Sequence, residues 1–485
     1  MRTPLLALLA FAPACASSLS EPNPAPTAAV TTNALAATSS PSIARAPEPL
    51  ALIPDAGPTA VLPHIWSAAI GRTDARSTMA VEGRTIVIGT HGGSFDAVEA
   101  VDDGVYLVDG LTGVVIRMIP TPGRGNRDVN GIALDAGRVF FSAANGQVVA
   151  ARLDGKVLWA HALGSEPLAA PTLVDTNGDG VLEVAVGDEA GRVHVLDGKT
   201  GTELWSRAIQ GAATQSTHSK HPSIEAGIAA ADLDGDGSND LVVASWDGSL
   251  SVLRGSNGQT VWSVHDDARI RGTPVLVDVD GDGRLEVIAT WETGATRILD
   301  GQTGHELWST VVGREEKIRV NVLGSTIPFL GTTSGMLAVP VGREPSGDGL
   351  LLVGERALSF RSGDPRVVGT AVVTALRPSN AQSLLFGTSS GELVSVSPDG
   401  HRSTLARTGG PIEASAMVAD TDGDGVYEAL VASGDGRLTC FATSVTDAPS
   451  IGRFRGDSPT NQGVLRPMNL HWAFGHDRGA AGKGK

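Results

Sequence analysis

The chain has 485 residues, enough for one large repetitive domain or two to three ordinary ones, so length alone decides little. Its 61 glycines, sparse aromatics and many short Val/Leu/Ile/Ala runs broken by Gly, Asp and Asn describe an all-β protein with many turns and argue against a helical one. The formal charge of −16 comes from 53 acidic and 37 basic residues with no basic stripe, which argues against nucleic acid as a partner.

Residues 1–16 read as an export signal: Arg2, an apolar run from Leu5 to Ala12, then small residues around Cys15. The run is too short to span a bilayer, and no other segment reaches the roughly 18 apolar residues a spanning helix needs. The stretch APAC at 12–15 resembles the lipobox of bacterial lipoproteins, in which the cysteine is acylated, although Ala12 stands where leucine is usual. An ordinary secretory cleavage site is the alternative. Residues 17–63 are rich in Ala, Pro, Ser and Thr and are expected to form a disordered tether. The expected location is the cell envelope or the exterior, with a lipid anchor as the sole membrane attachment. Besides Cys15 only Cys440 is present, so no disulfide framework is expected; RLTCFATS reads as a buried strand.

From residue 64 to about 480 the chain repeats. The unit starting at Gly272 reads as a strand (TPVLVDV), an acidic loop, a strand (LEVIAT), a turn (WETGA), a strand (TRILD), a turn (GQTG) and a strand (HELWST). The same unit occurs at 168–209 and 227–264 and in part at 412–443, and weaker copies lie near 84–118, 138–162, 350–364 and 383–404. The second strands are expected to end at Gly89, Ser142, Gly187, Ala244, Ala289, Gly354, Gly387 and Ala432. Four-stranded units with a period of about 40 to 50 residues predict a β-propeller, because ring closure removes exposed sheet edges. Eight four-stranded blades are expected. Uneven spacing around Gly354 leaves seven as the alternative.

Four loops share one pattern: DTNGDGVLE at 175, DLDGDGSND at 232, DVDGDGRLE at 278 and DTDGDGVYE at 420. The pattern D-x-[DN]-G-D-G-x-x-[DE] between strands resembles the FG-GAP/VCBS type of propeller repeat. The strand endings LDGKTGTELW, LRGSNGQTVW and LDGQTGHELW are similar to PQQ-like repeats, and the tail HWAFGHDRGAAG is similar to a segment that ends such bacterial chains.

An EF-hand is excluded, since its twelfth position requires a bidentate Glu and here holds Val186, Val243, Ala289 and Val431. The resemblance implies a shorter Ca²⁺ loop with side-chain ligands at positions one, three, five and nine and a backbone carbonyl at seven. These are Asp175, Asn177, Asp179, Glu183 and the carbonyl of Val181; Asp232, Asp234, Asp236, Asp240 and the carbonyl of Ser238; Asp278, Asp280, Asp282, Glu286 and the carbonyl of Arg284; Asp420, Asp422, Asp424, Glu428 and the carbonyl of Val426. Without a cation each close carboxylate pair costs about 4 kcal/mol at an effective dielectric near 20. Hairpin-turn chemistry alone accounts for the glycines but not for four acidic sets at one spacing. Calcium, with its flexible oxygen coordination, suits the pattern better than magnesium.

Strand order predicts that the acidic loops and the GQTG-type turns share one face. The insertion QGAATQSTHSKHPSIEAG and turns such as SWDGS and TWETG then share the other. His218, His221, Trp246, Asp247, Trp291 and Glu292 are the candidate binding patch there. Trp159, Trp205, Trp262 and Trp308 recur at the fourth strand and are expected to pack between blades.

No CxxCH, adjacent cysteine pair or HExxH is present, and no position matches the residues that hold the quinone in quinoproteins, which puts PQQ in doubt. The expectation is a monomeric, non-catalytic calcium-binding scaffold for a protein or glycan partner. A propeller enzyme, either quinoprotein dehydrogenase or polysaccharide lyase or hydrolase, with its site on the ring axis is the alternative.

Overall fold

A computed structural model describes residues 61–92, 102–209, 222–311, 320–322, 327–330, 335–343, 347–353, 372–374, 382–396, 402–446, 459–465 and 470. Contacts divide the chain into Met1–Ala46 and Pro47–Lys485, and every described residue lies in the second unit. The expected export signal, Cys15 and all but the last residues of the tether lie outside the described residues, as does the tail from 471.

The described residues form strands and no helix, arranged as eight four-stranded antiparallel sheets. The first five are Met79–Glu82, Thr85–Thr90, Gly104–Asp109 and Val115–Pro120; Val129–Asp135, Arg138–Ala143, Gln147–Arg152 and Val157–Ala162; Thr172–Val174, Glu183–Gly187, Arg192–Leu196 and Glu203–Ala208; Ala229–Ala231, Asp240–Ala244, Ser249–Arg254 and Thr260–His265; and Val275–Val277, Glu286–Thr290, Ala295–Asp300 and Glu306–Val311. The seventh is Val372–Thr374, Ser383–Gly387, Glu392–Val396 and Arg402–Arg407. The eighth joins Met417–Ala419, Tyr427–Ser433 and Arg437–Val445 to His64–Ala69, so the N-terminal strand completes the last sheet.

The sixth sheet departs from the repeat. Its nine-residue strand Gly335–Arg343 is long enough to pair along one edge with both Val320–Val322 and Ile327–Leu330, and along the other with Gly347–Val353. Six sheets are therefore meanders of four consecutive strands, the eighth is a meander completed by the N-terminal strand, and the sixth is neither. The strand before Gly354, expected to be the second of its blade, ends at Val353 but is the fourth strand of the sixth sheet in chain order and lies at its edge; the other seven expected ends fall at or within one residue of the second-strand ends observed.

Second strands such as Glu183–Gly187 and Asp240–Ala244 are buried along their whole length, which accounts for their continuous apolar runs. First strands of neighbouring sheets touch one another, which puts these short segments at the axis. Each hydrophobic cluster straddles two adjacent sheets. One joins Val87 and Leu107 of the first to Val139 and Phe141 of the second, and another joins Val242 and Leu250 of the fourth to Val287 and Leu299 of the fifth. The cluster of Trp66 and Leu438 with Ile86 and Ile88 seats the eighth sheet on the first.

Three of the four recurrent tryptophans are seen to bridge sheets as expected. The indole N–H of Trp159, Trp205 and Trp262 donates to the carbonyl of Gly198, Gly255 and Gly301 in the next sheet, at 3.3, 2.8 and 2.8 Å. Trp66 repeats the bond to Gly110 at 2.8 Å and thereby ties the last sheet to the first. Under each indole lies a turn glycine with left-handed φ, Gly113, Gly201, Gly258 or Gly304, where a Cβ would overlap the ring.

A C-terminal segment then crosses the axis. The carbonyls of Pro459, Thr460, Gln462 and Gly463 accept the N–H of Leu134, Leu173, Ala230 and Leu276, one from each of four successive innermost strands. Asn461, fully buried at φ 62°, donates to the carbonyls of Ile132 and Pro171 at 2.8 and 2.9 Å.

Candidate metal centres and the opposite face

The four acidic loops fold alike because their hydrogen bonds are the same. The first Asp accepts from the N–H of both glycines: Asp175 from Gly178 and Gly180 at 2.7 and 2.8 Å, Asp232 from Gly235 and Gly237 at 2.7 and 3.0 Å, Asp278 from Gly281 and Gly283 at 2.7 and 3.1 Å, Asp420 from Gly423 and Gly425 at 2.7 and 3.1 Å. All eight glycines have φ between 76° and 88°, a region that other residues enter only with strain. Position three accepts from the N–H of position five, and position five from that of position seven. The loop thus curls its oxygens toward one point.

The ninth residue lies beneath each loop and is buried: Glu183, Asp240, Glu286 and Glu428 are 1, 3, 3 and 5 % exposed. Glu183, Glu286 and Glu428 accept the N–H of Thr176, Val279 and Thr421 at 2.8, 2.8 and 2.9 Å. Asp240 is one methylene shorter, and one of its carboxylate oxygens is buried without a hydrogen-bond partner. Burial, with repulsion from the loop aspartates, pushes Glu286 up to about 7 and Asp240 up to about 6. Glu183 and Glu428 are raised by burial as well. Carboxylates kept from water and crowded by like charge fit a cation. In Asp232/Asp234/Asp236, Asp278/Asp280/Asp282 and Asp420/Asp422/Glu428 one ligand atom from each residue lies within 4.8 Å of the others. In the loop at 175, Asn177 takes the place of one of these acids.

The loop at 232 carries an internal cation. Arg254, where three other sheets have Asp109, Asp197 and Asp300, reaches Asp234 at 3.1 Å and Asp236 at 3.0 Å. The predicted sharing of a face also holds: Asn239 donates to the carbonyl of Asp175 at 2.7 Å, and Gln302, from the GQTG turn, to that of Asp234 at 3.4 Å.

On the opposite face the expected patch divides. His218 and His221 lie outside the described residues. Trp246 is half-buried, with the guanidinium groups of Arg269 and Arg271 at 4.4 and 5.0 Å from its ring centre. Glu292 pairs with Arg271 at 3.1 Å. Trp291 and Asp247 do not belong to a binding surface, because both are fully buried. Trp291 donates to the carbonyl of Gly248 at 2.9 Å and so locks two sheets, and Asp247 accepts from the N–H of Ser249 at 2.9 Å to shape its turn.

Sequence reasoning missed what stands between these groups. Arg76, Asn130, Glu166, Glu225 and Arg271 enter or begin innermost strands of five sheets. Asn130 donates to Glu166 at 2.9 Å, and Arg76 lies 3.5 Å from Glu166. Glu225, raised by burial, faces the charges of Arg76, Arg271 and Arg269. Asn130 lies at the start of the strand Val129–Asp135 and the other four in the links that lead into their strands, where the side chain varies from blade to blade.

Nearby, His91 is buried 3.0 Å from Asp74 and 3.2 Å from Asp128. Burial by itself lowers its pKa, but hydrogen bonds and charges from Asp128 and Asp74 prevail and lift it to about 9. Gly387-Thr388-Ser389-Ser390-Gly391 spells G-x-S-x-G, yet it is a tight turn between two strands, closed by the Gly391 N–H on the Thr388 carbonyl at 3.0 Å. It is not a strand-to-helix nucleophile elbow.

The FG-GAP-like repeat matches residues 232–289. The family described as outer membrane protein assembly factor BamB matches residues 63–228. Among curated proteins none matches the chain. BamB from Moraxella catarrhalis is similar in structure at 16 % identity and a TM-score of 0.53, over 79 % of this chain and 100 % of that one. Quinohemoprotein alcohol dehydrogenases from Pseudomonas putida HK5 and Comamonas testosteroni are similar at 12 and 14 % identity, both with a TM-score of 0.55, over 80 % of this chain and 77 % of theirs. Two repeat types that matched in sequence thus coincide with one fold, and the chain is a β-propeller of FG-GAP-like and PQQ-like repeats.

Proposed function

We propose that this chain is an exported, calcium-stabilised β-propeller that serves as a non-catalytic binding or assembly scaffold at the cell envelope. The observation that carries the calcium part is the buried ninth carboxylate under each of four like-built acidic loops, a donor set of hard oxygens in flexible loops that fits Ca²⁺. Each ion bound only by the folded state adds about 2.7 kcal/mol at a hundredfold excess over its dissociation constant.

The match to an outer membrane protein assembly factor supports the scaffold part, with Cys15 as the lipid attachment and a protein or glycan as partner. A patch of exposed aliphatics on the rim, Ile65, Leu111, Val114 and Ile116 at 46 to 61 % exposure, offers a protein partner apolar contact. The second reading, an enzyme with an axial site, is favoured by the charged cluster of Arg76, Asn130, Glu166 and Glu225 and by the likeness to quinohemoprotein dehydrogenases.

Titration of the calcium-loaded chain with PQQ, followed by ultraviolet-visible absorption, separates the two. A scaffold leaves the quinone spectrum unperturbed, and cross-linking in intact envelopes traps a partner through the rim. A saturable spectral change at stoichiometric quinone would overturn the scaffold reading.

A further inference from the structure

The four acidic loops differ in the residue at position eight, which stands between the carbonyl at seven and the carboxylate at nine: Leu182, Asn239, Leu285 and Tyr427. Three of these side chains pack toward the preceding sheet. Leu182 lies against the apolar cluster shared by the second and third sheets, Leu285 against that of the fourth and fifth, and Tyr427 against that of the seventh and eighth. Asn239 points the same way but is polar, and it donates to the carbonyl of Asp175 in the acidic loop of the third sheet at 2.7 Å.

That bond joins the two loops at their working parts. Asp175 is position one of its loop, and Asn239 sits between Ser238 and Asp240, whose carbonyl and carboxylate belong to the set at 232. Contact continues on either side. A Cβ at Gly178 would lie 3.9 Å from the carbonyl oxygen of Gly237, and one at Gly255 would come within 2.9 Å of Thr176, whose N–H and hydroxyl both bind Glu183 at 2.8 and 2.6 Å. The loop at 420 stands apart, because the connections at the same place in its neighbours, ALRPSNAQ at 375–382 and Gly83-Arg84, contain no acid.

Each of the joined loops is also handicapped by itself. The set at 175 has three carboxylates, since Asn177 replaces an acid. At 232 Arg254 holds Asp234 and Asp236, so a cation enters only by displacing it, and the loop has two arrangements. The residue after Arg254 is Gly255, which packs on Thr176 of the other loop. Four carboxylates at 232 and three at 175 outweigh two divalent ions and Arg254 together, so repulsion between ions does not oppose joint filling.

We infer that the loops at 175 and 232 form one coupled calcium unit, in which an ion at either raises the affinity of the other, with Asn239 as the link. This rests on the calcium reading proposed above. Binding at 232 draws in the carbonyl of Ser238 and the carboxylate of Asp240, which fixes the residue between them. Asn239 then holds the backbone of Asp175 in its closed form, and the second loop is ordered at lower cost. The effect is reciprocal.

Calorimetric calcium titration of the full chain carrying Asp282→Ala and Asp424→Ala, which leaves only these two loops intact, tests this. Two ions are expected to bind with positive cooperativity. Adding Asp236→Ala or Asp179→Ala leaves one loop at a time, and the product of the two single-loop affinities is expected to fall about fivefold short of the product for the intact pair. Asn239→Leu, the residue that the repeat already accommodates at 182 and 285, should abolish that difference while two ions still bind, and in the otherwise unsubstituted chain it should make the calcium titration less steep. Independent binding of two ions, or cooperativity unchanged by Asn239→Leu, would overturn the coupling and leave the calcium reading standing. Absence of saturable heat in the two-loop chain would also overturn the coupling, and its absence in the unsubstituted chain as well would overturn the calcium reading with it.

Discussion

Single side chains decide how one blade holds the next. The Trp262 indole rests on Gly304, and a Cβ at Gly304 would approach its ring to 2.6 Å at a φ of 71°. Gly304→Ala is therefore expected to lower stability by about 2 kcal/mol or more in denaturant titration. Gly137→Ala has the same left-handed φ but nothing within 4 Å, so only the backbone strain of about 1 kcal/mol is expected. His91 gives a pH signature instead. Its folded-state pKa of about 9 exceeds the ordinary 6.5, so its contribution is complete below pH 6.5 and is lost as pH rises through 9. Over that window the unfolding free energy should fall by up to about 3 kcal/mol from this group, and His91→Gln should flatten the decline.

Loops and segments form the next scale, and the acidic loops are not equivalent. Arg254 neutralises Asp234 and Asp236 from within, so the loop at 232 should bind calcium most weakly of the four. Arg254→Gln removes that competitor and is expected to tighten calcium at this loop roughly tenfold, measured by calcium titration. The segment crossing the axis is expected to be as important as any strand. Asn461→Ala would remove a donor from the buried carbonyls of Ile132 and Pro171, of which Ile132 keeps the Thr78 hydroxyl, and place alanine at positive φ, for a loss of about 2 kcal/mol or more in thermal or chemical unfolding. Such loops were legible in the sequence because each acidic position and each turn glycine is dictated by local geometry. Asn461 was not, since what it serves lies more than 280 residues away along the chain.

At the scale of the whole molecule, the four-stranded repeat and the tryptophan positions were readable because every blade solves the same packing problem. Trp66 escaped notice because its strand belongs to a blade whose other strands come after residue 416. Trp291 and Asp247 looked like surface groups because they follow a strand end, yet neighbouring sheets bury them. The axial cluster arises where links or strands of different sheets meet, a property of closure that no single repeat displays. The irregular sixth sheet follows from the length of one strand, which uneven spacing around Gly354 marked without explaining.

With no disulfide among the described residues and four acidic loops of one build, we propose that bound cations are central to the stability of the ring. Thermal unfolding of the purified chain in calcium and in EDTA tests that most directly. The melting temperature should drop by several degrees on chelation and recover when calcium, but not an equal concentration of magnesium, is restored. Identical melting curves in calcium and EDTA would contradict the account.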